Sequence, residues 1–409
     1  MVKNKVFVSD LRPGMFVCEL DRPWLNTPFL LQGFSIERPE QIEELRRYCT
    51  FVYVDPERTP HDVSSHLSPS GQFAATEAEA PPRTIPGKTV YEDKTSVQEE
   101  LKVAKAVCKA FLDLVKSVQE DIRRHTLLDV QQIRGALLDM VDSVLRNPNA
   151  MQLLITLREK DPNAIANSVK VAITLVAFGR HLGCPRDQLE HLGLGGLLLD
   201  IGKLRLPEAL LAKKTALSGQ EHRLMKSHVD LGVAILDSTP GIPKEVAAMV
   251  ATHHEREDGS GYPKGLTGEG IGLLGKIAAV VDCFEELTTE RFLAPAASPQ
   301  EALQMLQQWR VRLLDAWLVD RFIQFMGLYP VGSLVELDTG EVAVILANKS
   351  GDRSGFTVML ILDPARKPYA KRAVVDLGAP EGDSPPREIT RGLEPGTYGV
   401  NPKAYVQDA

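Results

Sequence analysis

Five side chains that can bind metal ions stand out in the middle of this 409-residue chain. Each lies at or near one end of a helix-like run of apolar residues, and in chain order they are Asp200, His228, His253, His254 and Asp282. Imidazoles and carboxylates bind divalent transition metals. A buried carboxylate is costly unless it is paired or bound to a cation. A single histidine in such a place is more often structural, but the ordered set predicts a metal centre.

A loop shaped by glycines follows the histidine pair directly, in the segment HHEREDGSGYPKG from His253 to Gly265. Gly259 and Gly261 predict a positive φ or a close approach of the backbone. Tyr262-Pro263 fixes the exit of the loop, because proline restricts the backbone. Strong metal donors beside a rigid turn are what a metal site that cleaves phosphodiesters needs.

The donors and this loop together resemble the signature of the HD-GYP family, the bacterial cyclic di-GMP phosphodiesterases. The resemblance implies a divalent metal, iron or manganese, and hydrolysis of cyclic di-GMP to pGpG or GMP. It gives Asp200 and Lys203 catalytic roles, and it assigns substrate binding to Lys203 and Arg291. It also implies a surface that contacts GGDEF-domain diguanylate cyclases, formed by Gly259, Gly261, Tyr262 and Pro263.

The chain departs from the family pattern at three metal donors. The family's glutamate and histidine on the first core helix fall on Asn163 and Asn167, and the histidine of its His-Asp pair falls on Leu199. A carboxamide carries no charge and leucine has no donor atom, which makes a poor set of ligands for a second ion. Hydrolysis by two ions about 3.5–4 Å apart needs both positions filled. We therefore expect at most one bound ion and weak or absent hydrolysis.

Other departures surround the expected substrate. Ala294 stands where the family has a second arginine, and Phe292-Leu293 replaces its Pro-Tyr. Elsewhere, family residues are replaced by Glu257, Gly272 and Lys276. The loss of a guanidinium group weakens the expectation that the ligand binds as it does in the family.

Composition limits the class of protein. The chain is 44% hydrophobic and 25% charged, which is typical of soluble globular proteins with two or three domains at this length. A net charge of -7 argues against general binding of DNA or RNA. No apolar run is long enough for a membrane span. Scattered cysteines without a CxxC pair favour a reducing compartment, and we expect a cytoplasmic protein; they are Cys18, Cys49, Cys108, Cys184 and Cys283.

The sequence patterns predict a mainly α protein, an HD-type all-helical domain with a small N-terminal α+β module and a small C-terminal β unit. The N-terminal segment resembles the small domain that precedes the catalytic domain in one HD-GYP subgroup, through LRPGMFVCELDRPWLNTPFLLQGF. The predicted parts are the module 1–55, a disordered linker 56–94, a connector or dimerisation helix 95–127, the HD-GYP helical domain 128–330 and a β-rich extension 331–409. A homodimer is expected.

Local signals place several elements. In the connector, apolar residues recur every three or four positions and predict one buried face, formed by Val103, Val107, Phe111, Leu114, Val118 and Ile122. Capping boxes at Ser218 and Ser298 begin two helices. Asp338-Thr339-Gly340 predicts a hairpin turn between two strands of the extension.

Three interpretations from different functional classes remain open. The chain is a regulatory protein for signal transduction that binds cyclic di-GMP or partners without efficient hydrolysis, or a working phosphodiesterase, or a structural dimerising module. Binding of cyclic di-GMP and formation of its linear product would separate the three.

Overall fold

A computed structural model describes two compact units, Met1–Arg83 and Thr84–Ala409. In the first unit the described residues are 4–8, 11–20, 34–36, 38, 41–42, 45–46, 49, 51–55 and 59. In the second they are 85, 87–124, 128–157, 164–213, 215, 217–289, 296–310, 312–348, 355–378 and 386–406.

The N-terminal unit is a small antiparallel sheet with helical backbone at 41–42 and 45–46. Its strands are β1 (Asn4–Phe7), β2 (Phe16–Leu20), β3 (Phe34–Ser35) and β4 (Phe51–Val54), in the order β1-β4-β2-β3. Alternate residues of β4 are buried, as expected of a sheet with one face on a core. Ile42 and Leu45 from the helical segment join that core, which agrees with the predicted α+β module.

The second unit is mainly helical, as predicted. In chain order its helices are α1 (Val97–Arg123), α2 (Val130–Arg146), α3 (Pro148–Thr156), α4 (Ala164–Leu182), α5 (Arg186–Leu198), α6 (Glu208–Leu211), α7 (Gly219–Lys226), α8 (His228–Asp237), α9 (Lys244–Thr252), α10 (Leu273–Leu287), α11 (Pro299–Trp309), α12 (Ala316–Met326) and α13 (Lys403–Val406). Short 3-10 helices lie at Ile201–Arg205, Gly268–Ile271 and Thr397–Gly399. Capping boxes begin α1, α7 and α11.

Helix α1 packs against α2, α3 and α4. A buried ion pair fixes it to α2, because Glu100, 1% exposed, accepts hydrogen bonds from Arg146 through both carboxylate oxygens and from Ser143. A two-point contact of this kind sets the register between two helices. The end of the predicted linker lies against the same bundle: Thr89 donates to the carbonyl of Gly183 at 2.8 Å, and the hydroxyl of Tyr91 donates to the carbonyl of Cys184 at 2.9 Å.

Helices α4 and α5 form the centre of the bundle. Helix α5 can approach its neighbours closely because it carries glycines on two sides. A Cβ on Gly196 would lie 2.7 Å from the Cα of Ala172 in α4, and one on Gly195 would lie 2.5 Å from the sulfur of Met249 in α9. This close packing places α5, which ends two residues before Asp200, directly against α4 and α9.

The C-terminal part is a five-stranded antiparallel sheet. Its strands are β5 (Leu334–Leu337), β6 (Val342–Asn348), β7 (Phe356–Leu362), β8 (Val374–Asp376) and β9 (Ile389–Leu393), in the order β8-β7-β6-β5-β9. The predicted hairpin is confirmed, since Leu334 pairs with Val344 across the turn. One face of β6 joins the helical core through Val342 and Val344, while Ala343 and Ile345 belong to a separate cluster. Across the described part of the chain, none of the helices combines the length and the apolar character needed to cross a bilayer.

Candidate metal centre

Four metal donors lie at the boundaries of three elements that pack against one another. Asp200 directly precedes the 3-10 helix Ile201–Arg205, His228 opens α8, and His253 and His254 follow the end of α9. One ligand atom from each residue lies within 4.8 Å of all the others. The group is therefore compact enough to surround a single ion.

Gly202 makes this geometry possible. A Cβ on Gly202 would lie 1.9 Å from the carbonyl oxygen of His228 and 2.5 Å from the amide nitrogen of Gly232. Any larger side chain would force the 3-10 helix away from α8. Gly202, two residues after Asp200, therefore permits the short distance between Asp200 and His228.

Backbone carbonyls fix the tautomers of two histidines. Nδ1 of His228 lies 2.8 Å from the carbonyl oxygen of Met225, and Nδ1 of His253 lies 2.7 Å from that of Val250. A carbonyl only accepts, so Nδ1 carries the proton in both rings and Nε2 keeps its lone pair. Both Nε2 atoms are buried, and neither completes a hydrogen bond with any described residue.

The lone pair of His228 faces another electron-rich atom. Nε2 of His228 lies 3.3 Å from Oδ1 of Asp200, and Oδ1 is likewise buried without a hydrogen bond to the described residues. Two acceptors at this distance repel each other unless a cation lies between them. The donor set therefore fits one divalent metal ion.

The protonation states also suit metal binding. Burial lowers the pKa of His253 to about 3, and it also lowers that of His254. Burial raises the pKa of Asp200, but nearby positive charge, chiefly the ammonium of Lys203, outweighs it, so this pKa lies well below the usual value. Neutral imidazoles and an ionised carboxylate are the forms that bind a metal.

Asp282, the fifth predicted donor, lies beside this group. Its Oδ2 is 3.9 Å from Nδ1 of His254, and the residue is 2% exposed on α10. Burial raises the pKa of Asp282 well above the usual value, and the negative charges of Glu286 and Asp200 raise it further. A second cation here would have to hold Asp282 ionised against these effects.

The positions of the missing donors are poor in ligands. Asn167 is half-buried on α4, and its Oδ1 accepts a hydrogen bond from Thr289 at 3.4 Å. Leu199 is 2% exposed and offers only an aliphatic side chain. Asn163 lies outside the described residues. Of the donors predicted for the second position, the described part of the chain therefore supplies Asp282, the shared Asp200 and the amide oxygen of Asn167.

Lys203 is the one predicted substrate-binding residue that lies among the described residues. Nζ of Lys203 lies 2.7 Å from Oδ2 of Asp200, and the lysine side chain is 29% exposed. Its ammonium is therefore adjacent to the metal donors and accessible to an anionic ligand. Arg291 lies outside the described residues, as do Phe292, Leu293 and Ala294.

The glycine loop packs directly on the metal donors. Gly259 has a φ of +76°, and a Cβ on Gly261 would lie 2.5 Å from the carbonyl oxygen of His254. Both expected uses of glycine, positive φ and close approach, therefore occur. The ring of Tyr262, whose bond to Pro263 is cis, stacks on His254 with centroids 4.6 Å apart. The loop thus forms one wall of the metal centre.

Glu255 holds this loop in place, although the sequence analysis did not single it out. The residue is 1% exposed, and its two carboxylate oxygens accept the amides of Lys264 at 2.8 Å and Leu266 at 2.9 Å. Glycine-rich loops leave backbone amides without partners. An acidic residue at the start of such a loop could therefore have been predicted to accept hydrogen bonds from these amides.

Two of the unusual residues pair with each other. The buried Nζ of Lys276 lies 2.7 Å from a carboxylate oxygen of Glu257 and 3.3 Å from Oδ2 of Asp315. Glu257 and Lys276, both singled out in the sequence as departures from the family pattern, therefore form one ion pair. This contact ties the loop to α10 and to the start of α12.

An aspartate and three histidines thus meet at the ends of packed helices, where they form a possible metal site. The sequence matches the family described as "HD domain" over residues 152–318 and the family described as "Domain of unknown function (DUF3391)" over residues 3–133. It is 30% identical over 377 residues to "Cyclic di-GMP phosphodiesterase PA4108" of Pseudomonas aeruginosa, covering 92% of this chain and 89% of that protein. The chain belongs to the HD-GYP family.

Two further relatives match shorter stretches. "Cyclic di-GMP phosphodiesterase response regulator RpfG" of Xanthomonas campestris is 29% identical over 54% of this chain and 58% of that protein. "3'3'-cGAMP-specific phosphodiesterase 2" of Vibrio cholerae is 30% identical over 39% of this chain and 31% of its own length.

Proposed function

We propose that this protein is a cyclic di-GMP regulatory protein that binds one divalent metal ion and hydrolyses its ligand weakly or not at all. One observation carries the proposal: four donors converge, and Asp200, His228 and His253 each have a buried atom without a hydrogen bond in the described part of the chain. Leu199 and Asn167, at positions expected to supply a second ion, offer no ionisable group. The names of the relatives support cyclic di-GMP as the ligand.

Different residues of this chain would bind the metal ion and the phosphate of the ligand. Asp200 and the three histidines would hold iron or manganese, and Asp282 would contribute only if a second ion bound. Lys203 would place a positive charge against a phosphate of the ligand, and Arg291 would add a second one. When bound, the ion lowers the pKa of water and polarises the phosphate. Without a second cation, the leaving oxygen lacks its usual neutralising partner.

A working phosphodiesterase is the second candidate function. The adjacent carboxylate of Asp282 and the activities named for the relatives favour it. It would require one ion, or an unusual set of ligands, to perform what two ions normally share.

The regulatory proposal includes interactions with partners. The loop from Glu255 to Leu266 keeps its ordered form through contacts that involve no metal, which supports a docking role for Gly259, Gly261, Tyr262 and Pro263. GGDEF-domain cyclases and a second copy of this chain are the proposed partners, in the cytoplasm. A purely structural dimerising module remains the third possibility, and it predicts no binding of cyclic di-GMP.

Turnover of cyclic di-GMP by the full chain with Mn²⁺ or Fe²⁺ tests the proposal. We expect binding without efficient formation of linear product. The triple variant Asn163→Glu, Asn167→His, Leu199→His should gain hydrolysis by at least about tenfold, because it restores ionisable or imidazole donors. Adding Asp200→Ala to that variant is the control and should abolish the gain. Rapid product formation by the unmodified chain would contradict the proposal, and thermal melting of each variant verifies folding.

A further inference from the structure

A cavity of about 120 Å³ opens between α1, α4 and the 3-10 helix that follows Asp200. Asp200 and Lys203 lie on its wall, so the cavity adjoins the metal donors. A water molecule takes about 30 Å³ in the liquid, and pockets that enclose whole drug-sized ligands measure about 300–1,000 Å³. The cavity therefore has room for a ring-sized group and not for a whole cyclic dinucleotide.

Gln119 of α1 lines this cavity and has an unused acceptor. The residue is 6% exposed, and its Oε1 is buried without a hydrogen bond to any described residue. Leaving a buried amide oxygen without a hydrogen-bond partner is unfavourable. Such an atom on a cavity wall is suited to a ligand that donates an N–H group.

The wall of the cavity combines apolar and polar side chains in equal number. Its apolar residues are Val115, Val118, Leu197, Ile201 and Leu204. Besides Gln119, Asp200 and Lys203, its polar residues are Asn167 and Ser168. The amide group of Asn167 has two hydrogens to donate, while the hydroxyl of Thr289, 3.4 Å from Oδ1 of Asn167, makes its shorter hydrogen bond at 2.6 Å to the carbonyl of Glu285. Aliphatic faces with a donor and an acceptor at the edge match the faces and edge of a nucleobase.

We propose that this cavity binds one guanine base of the cyclic dinucleotide, and that Gln119 is the residue that selects it. Oε1 of Gln119 accepts from the N–H groups of the guanine edge, while Asn167 donates to the guanine carbonyl. Adenine presents a different order of donors and acceptors on that edge, so it fits less well. Lys203, on the same wall, then faces the attached phosphate. The inference rests on the proposed function, because it takes cyclic di-GMP as the ligand.

The placement of Gln119 gives α1 a role in ligand recognition. This helix begins shortly after the segment that joins the two units of the chain, and it supplies Val115, Val118 and Gln119 to the cavity. Asn167 occupies a position where the family pattern has a metal-binding histidine. In this chain the exchange of imidazole for carboxamide replaces a metal ligand with a hydrogen-bond donor for the base.

Isothermal titration of the full chain with cyclic di-GMP and cyclic di-AMP, with Mn²⁺ present, tests this inference. Gln119→Leu should weaken binding of cyclic di-GMP about tenfold, which is the scale of one or two hydrogen bonds, and should reduce the preference over cyclic di-AMP. The matched control is Gln98→Leu, the same exchange at an exposed position of the same helix, which should change neither. Metal content should be unchanged in both variants.

A second variant, Val118→Phe, fills the cavity and should reduce binding of cyclic di-GMP at least as much while metal still binds. If the unmodified chain binds no cyclic di-GMP, the proposed function fails. If it binds and Gln119→Leu binds equally well with the same preference, only the assignment of Gln119 and its cavity is overturned.

Discussion

At the scale of single residues, the metal centre depends on two backbone carbonyls as much as on its donors. Met225 and Val250 each accept the Nδ1 proton of a histidine three residues later, which turns Nε2 of His228 and His253 toward Asp200. The spacing of the donors identified these residues in the sequence. Their tautomers could not be predicted, because the carbonyl partners are set by where α7 and α9 end.

His253→Ala should remove most of the bound metal, since it deletes one of four ligands and leaves a buried space in its place. We expect metal content to fall at least about tenfold when it is measured by plasma mass spectrometry after equal loading with Mn²⁺. His222→Ala, at an exposed histidine of α7, is the control and should retain the metal. Full metal content in the His253 variant would exclude this histidine as a ligand.

Lys203→Met should move two affinities in opposite directions. The ammonium of Lys203 lies 2.7 Å from Oδ2 of Asp200, so its removal should strengthen Mn²⁺ binding, by roughly tenfold. The same change should weaken binding of cyclic di-GMP, because a phosphate loses its cationic partner. Titration of each ligand measures both effects, with Lys244→Met at an exposed position as control. A parallel loss of both affinities would indicate only structural damage.

At the scale of elements, the glycine loop is held by side chains rather than by a metal ion. Glu255 accepts two loop amides, and Lys276 of α10 joins Glu257 to Asp315 at the start of α12. A buried ion pair of this kind fixes one arrangement, although its net contribution to stability is small. The loop therefore has side-chain contacts of its own in addition to its packing on the metal donors.

Glu255→Ala should destabilise the loop and the domain together. Removing the carboxylate leaves the amides of Lys264 and Leu266 without their acceptor, at a cost of about 2–4 kcal/mol in the free energy of unfolding. Denaturant unfolding measures this cost, and hydrogen exchange should accelerate at 264–266. Glu394→Ala, at an exposed glutamate of the C-terminal part, is the control. Unchanged exchange in the loop would show that other contacts hold it.

Sequence periodicity predicted that α1 is a helix better than it predicted which of the helix residues are buried. Helix α1 was predicted from apolar spacing, and Phe111, Leu114, Val118 and Ile122 are buried as expected. Val103, placed on the same face, is 49% exposed, because the buried stripe passes instead through positions such as Leu101. Both choices satisfy helical spacing, so only the packing of α1 against its neighbours distinguishes them.

At the scale of the whole molecule, predictions fail where distant segments meet. The hairpin of β5 and β6 follows from its turn residues, whereas the pairing of β5 with β9 joins Leu334 to Leu393 and has no local signal. The pairing of Glu257 with Lys276 is equally non-local. The ion pair between these two residues is visible only in the folded chain.

The family assignment concerns most of the chain, since one relative matches 92% of it. We propose that this chain differs from the family's expected chemistry in the number of ions that it holds. Four donors converge on one possible site, and we expect a second ion to lack ionisable ligands at Asn167 and Leu199. On this proposal the molecule keeps the family's fold while the chemistry at the metal centre differs.

The number of metal ions per chain tests this account most directly. It is measured by plasma mass spectrometry on the purified full chain after loading with excess Mn²⁺ or Fe²⁺ under anaerobic conditions and removal of unbound ions. The account predicts about one ion per chain, reduced to near zero by His253→Ala. Two tightly held ions per chain would contradict it, because the second would then have ligands other than the donors named for it.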